Sequence, residues 1–329
     1  AYDGSDTEND NIAIGFESMT ADTAGGTKNI ALGNKTLTAL TSGDRNVGIG
    51  DTSLEANTGG GNNTAIGDST MYTNVSGNNN TALGYATLAV NLAGYNTAVG
   101  ANALLANTTA TSNVAVGYGA MTANTTGANN VAVGRDSLDL NTDGELNVAV
   151  GDSALTTLNG GDNNTAVGRE CLRLATSSSK NTAIGAQAAA AVTTGHTNVM
   201  IGYGAGNNVT EGDSNIIIGD VDAPSATADG QINIGSRYKT ASSGEMSFHP
   251  EVGANCFVLA ANKNIQAYGG DGVTNFSVYA GGTGAQTFFD FRLSNNTQVG
   301  YINTNGSATT YSTSSDHRLK ENVNYTWDA

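Results

Sequence analysis

The chain has 329 residues, 44 of them Gly and only 2 Pro, with 13% charged residues and a formal net charge of −16. That charge argues against nucleic acid, whose phosphates demand a basic patch, and against anionic membrane surfaces; no run of about 20 apolar residues exists to span a bilayer. Disorder would bring more Pro, Lys and Glu, and collagen would need Gly at every third position, so small residues at regular intervals point to a tightly wound fibrous fold. The chain opens on Ala1, Tyr2 and Asp3 with no Met and no signal-peptide pattern, and so reads as processed or as a fragment of something longer.

From Asn11 to Gly235 one unit recurs: Asn-x-Ala-(Val/Ile/Leu)-Gly. Fourteen closing glycines run from Gly15 to Gly235 in steps of 16 to 18 residues, mostly 17. Asn stands four residues before thirteen of them, as in Asn96 before Gly100, Asn113 before Gly117 and Asn130 before Gly134; Gln231 stands before the last. A fixed period of this length is the mark of a solenoid. The residues before each Gly are β-formers in period-2 alternation, so Thr97 and Val99 share one face of a short strand and Ala98 points the other way, small enough for close approach. The Gly is expected to end the strand with positive φ. Four residues on comes an apolar knob: Leu37, Leu54, Met71, Leu88, Leu104, Met121, Leu138. An Asn-Thr-x-Gly turn follows.

Stacked coils place equivalent residues roughly 4.8 Å apart. Asn57, Asn74, Asn91, Asn107, Asn124 and Asn141 are therefore expected to form an amide ladder, as is the Asn that opens each strand. The competing reading, N-glycosylation, rests on Asn-x-Thr matches such as Asn62-Asn63-Thr64, a common pattern in so Asn/Thr-rich a chain. Cys171 sits where other coils hold Ser, Thr or Ala, which makes it a small buried residue and not half of a disulfide with Cys256. One coil supplies only two or three apolar side chains, so a lone chain is expected to expose rows of Ala and Val. Bundling identical chains about one axis removes that hazard, with Ala facing the partners, and three copies suit an Ala-sized inner wall. The repeat resembles the head repeat of trimeric bacterial adhesins and similar repeats of phage tail fibres, over about two thirds of the chain, with a longer step than the adhesin heads. That resemblance implies a homotrimeric β-solenoid.

The register breaks between Gly219 and Gly235, where Pro224 and residues 222–229 read as a loop. From Ser236 aromatics appear, and short alternating runs at 276–279, 287–292 and 298–303 suggest a small all-β module. Its loops at 268–273 and 280–286 are the candidate receptor contacts, with Tyr268, Asp271, Thr283 and Gln286 as candidate binding residues, because loops on a rigid scaffold carry recognition. The competing reading makes this module a connector only.

The string SSDHRLKENV at 314–323 closely resembles the start of the self-cleaving C-terminal chaperone of phage tailspikes, endosialidases and neck appendages. The resemblance implies a Ser–Lys dyad, Ser315 and Lys320, cutting between Ser315 and Asp316 in a precursor whose chaperone runs beyond Ala329. A desolvated Lys can take the proton that a weak Ser hydroxyl must lose. No zinc spacing, phosphate loop or paired-carboxylate motif stands out. Asp51, Asp68 and Asp152 follow closing glycines and read as solvated turn residues before Ca²⁺ ligands. No metal or cofactor is expected.

These residues imply an all-β chain: a homotrimeric β-solenoid (β-roll) at 1–235, a β-rich distal module at 236–311 and the truncated start of a chaperone at 312–329. The expected function is a structural fibre for host attachment, a phage tail fibre in the virion that binds a host surface glycan or protein and other tail or fibre proteins. The alternatives are a trimeric adhesin on a bacterial surface and a glycan-degrading tailspike. Coils this short and uniform leave the last no wide groove with clustered carboxylates.

Overall fold

In the computed structural model, residues 10–21 and 25–236 are described in full, together with the backbone of five strands farther on. The chain divides into two compact units, Ala1–Gly244 and Glu245–Ala329. No helix occurs among the described residues.

The first unit is a parallel β-solenoid of about thirteen turns. Fourteen three-residue strands, from β1 (Ile12–Ile14) to β14 (Ile232–Ile234), stack in chain order, one per coil. The register follows the repeat: β6 (Thr97–Val99) lies on β7 (Val114–Val116) with Thr97 opposite Val114, Ala98 opposite Ala115 and Val99 opposite Val116. The break expected after Gly219 is confined to a loop. The parallel pairing continues from β13 (Ile216–Ile218) to β14, Ile216 opposite Ile232, and β15 (Tyr238–Thr240) then pairs antiparallel with β14.

The second unit contains β16 (Met246–Phe248) and an antiparallel sheet of β17 (Gln286–Arg292), β18 (Gln298–Thr304) and β19 (Thr309–Thr313) in that order. Two of the three expected runs are strands. The third, 276–279, lies outside the described residues, and β19 was not anticipated.

One expectation is corrected. The strand-central Ala does not face a partner; it lies in the chain's own core. Ala98, Ala115, Ala132 and Ala149 are fully buried, while their flanking Thr and Val are half-buried on the outside. A single coil does enclose a core, because five rows fill it and not two or three. In the coil beginning at Asn96 these are Asn96, Ala98, Ala103, Leu104 and Asn107, all without solvent exposure. Counting only apolar residues as core missed the two asparagine rows. Amides that satisfy one another can be buried at little cost.

The closing glycines behave as expected, with φ between 130° and 145° in β1 to β12 coils. At Gly100 (φ 131°) a Cβ would also fall 2.3 Å from the Gly117 carbonyl oxygen, so both conformation and coil spacing require Gly. Less expected are the non-glycine residues in the left-handed region. Asn102, Leu104 and Ser112 adopt φ of 60°, 51° and 60°, and the same three positions do so in coil after coil. The reversals let successive amides bond up and down the axis: Asn102 N–H donates to Tyr85 O of the preceding coil and Leu104 N–H to Ala120 O of the next, both at 3.0 Å.

Near the end of the solenoid the core exchanges volume between rows. The knob shrinks from Leu172 to Ala189 to Gly206, while the strand centre grows from Ala183 to Met200 to Ile217. A Cβ on Gly206 would meet Met200 Sδ at 2.6 Å, so the thioether occupies the space the knob vacates.

Candidate functional site

The asparagines singled out from the repeat are structural. Asn113 N–H donates to Asn96 Oδ1 at 3.1 Å and Asn130 N–H to Asn113 Oδ1 at 2.9 Å; their Nδ2 groups donate to the Gly127 and Gly144 carbonyls at 2.9 and 2.8 Å. The expected second ladder also forms. Nδ2 of Asn74, Asn91, Asn107, Asn124 and Asn141 donates to Oδ1 of the preceding rung at 3.1, 3.4, 2.7, 3.0 and 2.9 Å. Leu40 and Leu158 occupy the same row at either end, and the Oδ1 of Asn141 has no donor because Leu158 offers none. The first ladder ends at Gln231, whose longer amide turns aside to the Ser225 and Ala228 carbonyls.

With both ladders and the Leu/Met row inside, the surface belongs to other rows. One is the outward strand face. Its two columns hold only Ile, Leu, Val and Thr along all fourteen strands, without one charged residue. Ile12, Ile14, Ile30, Leu32, Leu83 and Ile184 on it are between 39% and 59% exposed. A second row follows the closing Gly and carries exposed rings, Phe16, Tyr85, Tyr118 and Tyr203. It also carries the expected turn carboxylates: Asp68 Oδ1 accepts the Asp51 N–H at 3.1 Å, and Asp152 pairs with Arg135 at 2.8 Å. A third row links coils through side-chain acceptors. Asp44 accepts the Thr27 N–H and hydroxyl at 2.8 and 3.0 Å, and those bonds hold its carboxyl below the usual range. Farther along, His196 Nδ1 accepts the Ser179 N–H at 3.0 Å and Asp213 Oδ1 accepts the His196 N–H at 2.6 Å.

Among the described residues no three His, Cys, Asp or Glu side chains gather as a metal site would require. Cys171 is a free, buried thiol; burial pushes it up to about 12 and its Sγ donates to Ala183 O at 3.2 Å, so it is held protonated as a packing residue. Ser315, Lys320, Tyr268, Asp271 and Thr283 lie outside the described residues, and Gln286 opens β17.

What the structure assembles on the outside is an uncharged strand face beside a row of exposed rings. The opening Asn is present in thirteen coils of fourteen, while the strand centre takes Ala, Gly, Met, Ile or Asn and the two flanking positions exchange Ile, Leu, Val and Thr. No family model, curated protein or solved structure matches the chain.

Proposed function

We propose that this chain is a structural fibre subunit that serves host-cell attachment, with three copies packing their solenoids through the outward strand faces, and that its owner is a phage. The observation that carries this reading is the uncharged, branched face repeated over fourteen strands. On a solitary chain such a face invites aggregation. Another solenoid of the same pitch meets it row for row, which no unrelated surface does. The trimer suggested by the Ala row is thus relocated to the Val, Ile and Leu columns. The chaperone-like string at 314–323 supports a phage owner, and the adhesin-like repeat supports a bacterial surface fibre as the second reading.

Light scattering on the purified chain at micromolar concentration tests the assembly: three times the 33.2 kDa chain mass is expected, and a monomer sinks the proposal. Attachment is tested with a fibre truncated after Gly235 and held together by a foreign trimeric clamp. It is expected to lose adsorption to host cells; undiminished adsorption moves the receptor site out of residues 236–311. In a precursor carrying its chaperone, Ser315→Ala or Lys320→Ala is expected to block release of the C-terminal part, and normal processing of both variants removes the dyad.

A further inference from the structure

The last regular coils open a groove of about 550 Å³, lined by Gln187, Tyr203, Asn207, Asp220, Asp222 and Asn233 among others. Its origin is local. The second residue after a closing Gly carries a side chain in most coils, as at Asn102 and Asp136, but here it is Gly204. A Cβ on Gly204 would find only Asp220 Oδ1, at 3.6 Å. In the following coil the regular turn is replaced by the loop after Gly219, which brings Asp220 and Asp222 to the rim. Asn233 stands at the strand centre, where most coils have Ala; it is 5% exposed. Its Nδ2 donates to the Asp222 carbonyl at 2.6 Å and its Oδ1 accepts the Ser236 N–H at 3.0 Å, which braces the rim. Gln187 is held by its Nε2 donating to Glu170 Oε2 at 2.8 Å.

We propose that this groove binds a neutral hexose or N-acetylhexosamine unit of a glycan. Three features select that chemistry. Tyr203, 62% exposed, offers an aromatic face of the kind that stacks on the C–H side of a pyranose ring. Carboxylates and side-chain amides around it are the groups that pair with neighbouring ring hydroxyls, and the volume falls within the roughly 300–1,000 Å³ typical of small-ligand sites. Two carboxylates, with no Lys or Arg among the described lining residues, repel sialic acids and phosphates. The polar lining disfavours an apolar ligand, and two carboxylates with no third ligating His, Cys, Asp or Glu gathered with them among the described residues make a poor cation cage. The site depends neither on the number of chains in the fibre nor on its owner.

The test uses the full chain in chelator-containing buffer, with methyl glycosides of glucose, galactose, mannose, N-acetylglucosamine and N-acetylgalactosamine as probes. Saturation-transfer NMR and calorimetry are expected to show roughly millimolar binding of at least one. Tyr203→Ala and Asp220→Asn are expected to weaken it by about tenfold or more. Gly204→Asn fills the groove with a side chain the fold accepts at Asn102 with the same φ of 60°, so it is expected to abolish binding at unchanged melting temperature. Tyr118→Ala, in the same row but not among the residues that line the groove, is expected to leave binding intact. Silence with all five glycosides overturns the proposal. So does equal loss in Tyr118→Ala and Tyr203→Ala, full binding by Gly204→Asn, or calorimetric uptake of Ca²⁺ in chelator-free buffer with no glycoside bound.

Discussion

At the scale of single residues, the solenoid is held by backbone conformations that most side chains avoid. Left-handed φ costs an L-residue roughly 1–2 kcal/mol, yet Leu104, Leu138 and Leu155 sit near 51° because their amides then bond to the neighbouring coil. This reverses the usual sign of an Ala-to-Gly change. Ala86, half-buried at φ 51°, lies in the left-handed region, so Ala86→Gly is expected to stabilise by about 0.5 kcal/mol after the greater freedom of the unfolded Gly is subtracted. A lowered denaturation midpoint would show that the strain is already relieved elsewhere. The opposite change at a closing glycine combines two penalties. Gly100→Ala meets φ 131° and a Cβ 2.3 Å from Gly117 O, and is expected to cost about 3 kcal/mol or more, with hydrogen-exchange protection lost first around β6 and β7. Protection unchanged there would mean the coils separate without cost.

At the scale of the element, the coil is the folding unit and its two amide rows tie neighbours together. A row of asparagines is cooperative in a testable way. Leu fits the inner row, since Leu40 and Leu158 are fully buried in it. Asn141→Leu only shortens the ladder: it moves the donorless Oδ1 from Asn141 to Asn124. Asn124→Leu cuts the ladder in the middle. It leaves Asn107 Oδ1 without its donor and Asn141 Nδ2 without one of its two acceptors, while the Asn141 Oδ1 stays unpaired. Asn124→Leu is therefore expected to be less stable than Asn141→Leu by about 1–3 kcal/mol, read from the difference in denaturation midpoints. Equal midpoints would mean the rungs act independently. The same logic of a shared interior explains why Met200 and Gly206 must be read together: each is wrong for its own row, and the pair conserves volume.

At the scale of the whole molecule, the question is what covers the outward strand face. The chain carries a net charge of −16, and none of it lies on that face. Spread along a polar surface, charge of one sign keeps assemblies apart, while an uncharged face lets copies meet in one orientation. Val116 and Val133 are half-buried at its centre. On the proposed trimer, replacing both with Asp is expected to leave single chains at micromolar concentration while the far-ultraviolet circular dichroism of the solenoid persists. A trimer that survives this double change would place the contact on another row. Overpacking substitutions at Ala115, by contrast, act on the coil itself, because that residue is fully buried within one chain.

The sequence alone determined the period, the strand in each coil, the positive φ of the closing glycines and both asparagine ladders. Each of these is a local or nearest-neighbour property, repeated so often that position 57 predicts positions 74 and 91. Which side of the strand faces inward was decided only by the tertiary structure. Period-2 alternation separates Ala98 from Thr97 and Val99 but leaves the two faces equivalent. The choice falls to Asn96, which shares the side of Ala98 and can be buried only where a neighbouring coil supplies Oδ1 and carbonyl acceptors. The groove beside Tyr203 was equally hidden, since it exists because Gly204 and a displaced loop of the next coil, 16 residues on, leave space together. Absent volume is not written at any one position; it is a relation between coils, and only stacking them brings it into being.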